Sequence, residues 1–191
     1  MLSDALILLV RTAFGLFIVA LLLRFYLQWA RAPYRHPLAE FLQALTDFMV
    51  RPARRVIPGL WGLDLATFGL AWIGQWLELL IVLQVRGYPL GPDVGAALAI
   101  LVLLALVTLV KIGLYLVIAA VFAQVLLSWV NPYSPVMPLL NSMTRPFLRA
   151  FQRRIPPIGN VDLSPLFLLV AIQLLLILPV AWLEAAVSRM L

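Results

Sequence analysis

Thr46-Asp-Phe-Met-Val-Arg51-Pro-Ala-Arg54-Arg55-Val-Ile-Pro58 closes a loop between two long apolar stretches, and about a hundred residues later Thr144-Arg-Pro-Phe-Leu-Arg149-Ala-Phe-Gln-Arg153-Arg154-Ile-Pro-Pro157 closes another. The match extends outward on both sides: Trp29, Asp64, Leu65 and Gln75 of the first copy answer to Trp129, Asp162, Leu163 and Gln173 of the second. The register slips by about one or two residues over the whole set, which a chance match of common residues would not keep. The chain therefore reads as two tandem copies of one unit, residues 1–90 and 91–191.

Lipid is the solvent that this composition suits. Hydrophobic residues make up 64% of the chain and the mean hydropathy is +1.06, against roughly 45–50% apolar residues in a soluble domain. The absence of cysteine excludes disulfides, thiolate metal sites and a cysteine nucleophile, and the single His36 excludes a histidine metal cluster. A Ser-His-Asp triad would have to use that same histidine, which stands in a basic loop beside Pro37. No enzyme, catalytic residue, cofactor or metal is expected. The net charge of +6 would suggest nucleic acid in a soluble protein, but here the charges sit in short loops between apolar segments, which favours membrane topology and no nucleic-acid partner. The N-terminus opens with Asp4 rather than a basic region and shows no small-residue cleavage site, so the first apolar stretch is expected to be retained as a helix.

A hydrocarbon layer of about 30 Å asks for about 20 apolar residues of helix. Leu6–Trp29, Leu65–Leu83, Val94–Val130 and Leu163–Trp182 qualify, so the fold class is all-α, with each repeat made of a transmembrane helix, an amphipathic interfacial helix and a second transmembrane helix. The loops at 31–58 and 131–157 hold nine of the 14 basic residues, which by the positive-inside rule makes both cytoplasmic and both termini external. Val94–Val130 must then cross once although it is long enough for nearly two crossings. Arg11 and Lys111 each stand eighteen residues before Trp29 and Trp129, which assigns Ile112–Val130 as the spanning part and Val94–Val110 as its extension. The alternative is a fifth span that inverts the second copy and puts its arginines outside.

Leu38, Phe41, Leu42, Leu45, Phe48 and Met49 follow helical spacing, with Glu40, Gln43 and Asp47 on the opposite face. The spacing predicts an amphipathic helix in the plane of the inner leaflet. Leu139, Leu140, Met143, Phe147, Leu148 and Phe151 repeat the pattern more raggedly, with a break expected at Pro146. Anionic headgroups add on the order of 1 kcal/mol per neighbouring arginine, so Arg51, Arg54, Arg55, Arg149, Arg153 and Arg154 are expected to bind anionic lipid, an acidic protein partner, or both. Pro58, Gly59, Gly62, Pro157 and Gly159 end these segments, and Asp64, Asp162 and Ser164 stand at helix-capping positions. Trp29, Trp129, Trp61 and Trp182 read as interfacial anchors, and His36 reads as an interfacial loop residue.

Ionisable or polar groups inside spans are candidate functional sites. Arg24, whose counterpart is Gln124, reads either as a polar site partnered by Asp64 or Gln75, or as an arginine snorkelling to the headgroups and clamping a loop acid; the second reading is favoured. Glu78 lies about 21 Å along its helix from the loop end at 1.5 Å per residue. Pairing with Arg11 or Lys111, which come to a similar depth, is favoured over a proton or cation path.

Leu23-Arg-Phe-Tyr-Leu-Gln-Trp29, Thr46 with Arg51-Pro52-Ala-Arg-Arg-Val-Ile-Pro58, Ser128-Trp-Val-Asn-Pro132, and Asp162-Leu-Ser-Pro165 together resemble the signature of the YggT family in its two-repeat bacterial form, over essentially the whole chain. The chain departs from that pattern at Gln124, at Asp47-Phe48 and Arg145-Pro146 after the loop threonines, and at Ala66. The resemblance implies an integral cytoplasmic-membrane protein without established enzymatic chemistry. It also implies roles in osmotic-stress tolerance and cation homeostasis, in cell division, or in assembly of membrane-bound complexes. The reading adopted is a scaffold or assembly factor whose basic loops bind anionic lipid and a membrane protein partner, with homo-oligomers as a further assembly. The alternative is a small ion or solute transporter, which so few polar residues could line only in an oligomer.

Overall fold

A computed structural model describes residues 1–33, 36–59, 62–87, 93–154 and 162–190. Its helices are α1 (Leu2–Trp29), α2 (Pro37–Val56), α3 (Leu65–Val85), α4 (Val94–Val130), α5 (Met137–Gln152), α6 (Ser164–Leu175), a π-helical turn over Leu176–Val180, and α7 (Ala181–Ser188). The fold is all-α. Four stretches are long and apolar enough to cross a membrane: α1, α3, α4 and Ser164–Ser188. Only 22–28% of each apolar window is buried inside the protein. Most of each surface therefore needs an apolar surrounding, which a bilayer supplies.

Local chemistry sets the helix boundaries. His36 is the N-cap of α2, its Nδ1 accepting the Leu38 N–H at 3.2 Å with Pro37 in the first turn, so the interfacial loop residue expected at this position is a helix start. Asp64 and Asp93 cap α3 and α4 by accepting the N–H groups of Thr67 at 3.3 Å and Ala96 at 3.1 Å. Gly87, at φ 72°, follows α3 in the left-handed conformation that glycine takes without strain. The second copy corrects one expectation: Ser164 is the first residue of α6 and caps nothing, while Asp162 Oδ1 accepts its N–H at 2.8 Å. Trp61, Pro157 and Gly159 lie outside the described residues.

Two prolines sit inside helices without breaking them. Pro146 was expected to interrupt its segment, yet α5 runs through it, as α2 runs through Pro52. Both prolines lie on exposed faces, where surrounding water or headgroups can bond the carbonyl left without a donor. In the last span the π turn around Pro179 absorbs the missing hydrogen bond, and the helix continues six residues beyond the expected end at Trp182, to Ser188.

Val94–Val130 is one unbroken helix of 37 residues, about 55 Å long at 1.5 Å per residue. That exceeds the hydrocarbon thickness, so it must tilt or project. It also joins the two halves. Leu109 packs with Ile18, Leu21, Leu22, Val50 and Ala71 of the first copy, while Val117, Ala120 and Val121 pack with Leu139, Leu140, Leu168 and Ile172 of the second. The Trp72 indole N–H donates to the Val102 carbonyl at 3.0 Å and ties α3 to the first half of α4.

Both basic helices meet the C-terminal end of α1. The Tyr26 hydroxyl donates to the Met143 carbonyl at 2.5 Å, and the Trp29 and Phe147 rings lie 5.8 Å apart; α2 is held to the same end through Arg24. Their apolar faces differ. Phe41, Leu45 and Phe48 of α2 are exposed, as an interfacial helix requires, whereas Leu139, Leu140, Met143 and Leu148 of α5 are buried against the other helices. The second loop helix is thus packed into the protein rather than laid on lipid by its apolar side.

Candidate functional site

The polar groups at this end form a pair of latches in each copy. In the first, Arg24 lies on a face of α1 covered by α2 and is only 8% exposed. Its Nη1 donates to Thr46 Oγ1 at 2.7 Å and to Asp47 Oδ1 at 2.8 Å. Its partner is therefore the loop acid, not Asp64 or Gln75. Arg51 closes the cluster by donating to Asp47 Oδ2 at 2.7 Å. Burial opposes ionisation of Asp47, but the hydrogen bonds and charges of Arg24 and Arg51 outweigh it and hold the carboxyl below its ordinary value.

The second latch ties the end of α2 to the start of α3. Arg54 donates to Asp64 Oδ2 at 2.5 Å through Nη2 and at 3.2 Å through Nε, and reaches Gln28 at 3.4 Å. Asp64 also accepts from the Thr67 hydroxyl. Here too burial raises the carboxyl, and Arg54 and Thr67 pull it below its usual range.

The second copy rebuilds both latches without charge pairs. Gln124 Nε2 donates to Asn141 Oδ1 at 2.9 Å in place of Arg24 to Asp47, and Gln152 Nε2 donates to Asp162 Oδ2 at 2.9 Å in place of Arg54 to Asp64. Thr46 and Thr144, the loop threonines of the repeat, each donate back to the carbonyl four residues earlier, Leu42 and Leu140. The difference decides where positive charge is left over. Arg51 and Arg54 are neutralised inside the first copy, leaving Arg55 on its surface; Arg145, Arg149, Arg153 and Arg154 make no hydrogen bond or ion pair among the described residues, and α5 carries no acid.

Deeper in the spans, Gln75 donates to Glu78 at 3.0 Å, and Lys111 pairs with Glu184 at 2.7 Å. The expected pairing of Glu78 with Lys111 is thus replaced, and Arg11 forms no ion pair with Glu78 among the described contacts. Glu184 escaped the sequence reading because it lies beyond Trp182, on the turn that the π bulge adds to the span. Tyr26 escaped it too, since an aromatic among aromatics carries no signal of a partner over a hundred positions away. Trp29 packs between Tyr26 and Phe147, while Trp129 stands 80% exposed. Among the described residues no three His, Asp or Glu side chains converge as a metal site would require.

Two polar cavities open at this end. One, of about 270 Å³, lies between α1 and α2 and is lined by Arg24, Gln28, Gln43 and Arg54. The other, of about 370 Å³, lies between the end of α1 and α5.

Comparison with known proteins agrees with this doubled design. The CCB3/YggT family model matches residues 3–85 and again 103–183. An uncharacterized protein of Pseudomonas aeruginosa is 34% identical over 91% of this chain and 87% of its own length. The uncharacterized protein YggT of Escherichia coli K12 is 30% identical over 90% of this chain and 87% of its own, and an uncharacterized protein of Vibrio alginolyticus encoded in the proC 3′ region is 31% identical over 86% and 88%. No solved structure matches the chain.

Proposed function

We propose, from the premise that the chain belongs to the CCB3/YggT family, that it is a non-enzymatic scaffold or assembly factor of the bacterial cytoplasmic membrane. Its basic helices lie on the inner leaflet, bind anionic lipid and present a docking face to a membrane protein partner. One observation carries this reading: α2 and α5 gather at the same end of α1 with Arg55, Arg145, Arg149, Arg153 and Arg154 left without protein partners. Uncompensated cations beside a membrane are held by anionic headgroups, each worth on the order of 1 kcal/mol. The exposed Phe41, Leu45 and Phe48 supply the apolar half of the same contact. Stress tolerance, division or assembly of membrane complexes would each use such a platform.

This arrangement requires both basic helices to face the cytoplasm. Because the chain has no native cysteine, single cysteines at the exposed positions Ala44, Ala150 and Arg86 report sidedness directly. In intact cells an impermeant thiol reagent should label the Arg86 site and spare the other two. Labelling of Ala150 from outside would refute the shared orientation.

Lipid contact has its own signature. In nanodiscs, amide exchange over Pro37–Val56 should be slower with phosphatidylglycerol than with phosphatidylcholine alone. The difference should shrink as salt rises and the Debye length falls from about 10 Å at 0.1 M to about 3 Å at 1 M. Equal protection in both lipids at low salt would remove the headgroup role.

A further inference from the structure

The cavity between α1 and α5 differs from its neighbour in one respect that matters chemically. Arg24 and Arg54, which line the smaller cavity, are each bonded to a carboxylate. Arg31, Arg145 and Arg149, which line the larger one with Trp29 and Pro146, have no hydrogen bond or ion pair among the described residues, and no acid is in the lining. Three guanidinium groups around one opening repel one another, and an anion entering it would relieve that repulsion.

The backbone at Arg31 points the same way. Helix α1 ends in a two-bond cap, with the Arg31 N–H donating to the Gln28 carbonyl at 3.1 Å and the Ala32 N–H to the Leu27 carbonyl at 2.9 Å. This cap needs its penultimate residue in the left-handed conformation, where glycine sits without strain. The chain has Arg31 there, at φ 51°, the one non-glycine residue with positive φ among those described. Buried Ala32, beyond it, anchors the turn. A strained arginine held in place by its neighbours fits a position whose side chain is needed.

We propose that Arg31, Arg145 and Arg149 form a discrete phosphate-binding site, with the phosphodiester headgroup of an anionic phospholipid as its ligand. The proposal deepens the scaffold reading and rests on it for the membrane setting. Guanidinium forks match phosphate oxygens in paired hydrogen bonds, which a diffuse cationic surface does not provide. The site opens beside Trp29, at the end of a membrane-spanning helix, where headgroups lie. A lipid is therefore a better placed source of phosphate than the cytosol.

Native mass spectrometry of the full-length protein in mild detergent, titrated with phosphatidylglycerol, phosphatidylcholine or inorganic phosphate, tests this. The wild type should retain phosphatidylglycerol preferentially, losing about fivefold in affinity for each arginine changed to glutamine and on the order of a hundredfold in the triple R31Q/R145Q/R149Q variant. The pair R153Q/R154Q, outside the cavity, should keep the tight site. Equal weakening by both sets of variants would overturn the discrete site while leaving general lipid attraction intact. No preference for phosphatidylglycerol in the wild type would overturn both. Saturation by inorganic phosphate as tight as by lipid would keep the arginine site and overturn the lipid as its ligand. All three arginines are exposed, so their replacement should leave the melting temperature without lipid unchanged; a large drop would mark them as structural and sink the proposal.

Discussion

Replacing Arg24 by methionine should cost about 3 kcal/mol of stability, at the lower end of the range for breaking a buried ion pair. The change removes a cation that is 8% exposed and leaves Asp47 and the Thr46 hydroxyl facing apolar surface. The loss stays at the lower end because Arg51 still reaches Asp47 and Thr46 still donates to the Leu42 carbonyl. Asp47→Asn should also destabilise, since it leaves Arg24 covered by α2 without its anion. The double variant should lose less than the sum, with a coupling of about 1–3 kcal/mol in a double-mutant cycle of unfolding in detergent. Arg24→Gln should be milder than Arg24→Met, because the second copy already latches its loop helix with Gln124 to Asn141. Strict additivity of the Arg24 and Asp47 changes would mean that the contact does not hold α2 to α1.

What the sequence made legible follows from which forces act locally. Apolar length alone located the four spans, because a bilayer imposes a threshold that few other settings impose. Helical spacing located α2 and α5, and the repeated loop placed them as counterparts. The same spacing could not separate their fates. Phe41 and Phe48 remain outside while Leu139, Met143 and Leu148 are covered, and only the packing of the second half of α4, with α6, determines that. Partner choice was equally beyond reach. Asp64, Gln75 and Asp47 were all plausible acceptors for Arg24 by register, and the angle at which α2 crosses α1 selects Asp47.

The end of the last span shows a different limit. Proline normally marks the end of a helix, so Trp182 looked like a natural terminus, yet the π turn carries the helix on and brings Glu184 to Lys111. The charges of the two repeats were visible from the start, but their division of labour was not. Four arginines in each loop look alike until the acids are placed. Asp47 and Asp64 then absorb those of the first copy, while Gln152 meets Asp162 and leaves Arg153 and Arg154 outside.

Asp64→Ala should destabilise by about 2–4 kcal/mol, combining the loss of a helix cap, about 0.5–2 kcal/mol, with a buried hydroxyl left without its partner, about 1–3 kcal/mol. The carboxylate is 3% exposed and serves the Thr67 N–H, the Thr67 hydroxyl and Arg54 at once. Thr67 is fully buried and cannot turn to water, whereas Arg54, 44% exposed, can. Asp64→Asn should recover the capping part, since asparagine caps as well as aspartate, and lose only the charge. The counterpart Asp162→Ala should cost about 1 kcal/mol or less, because Asp162 is exposed and meets a neutral Gln152. Acid separates the charge from the cap. The Asp64 carboxyl is held below its model value of 3.8 despite burial, so folding favours the ionised form and its contribution is complete above that value. As pH falls below 3.8 toward the folded-state value the contribution disappears. The stability gap between wild type and Asp64→Asn should accordingly hold at pH 6 and close in stronger acid. A gap unchanged by acid would show that Arg54 contributes nothing through charge, and that the cap alone joins α2 to α3.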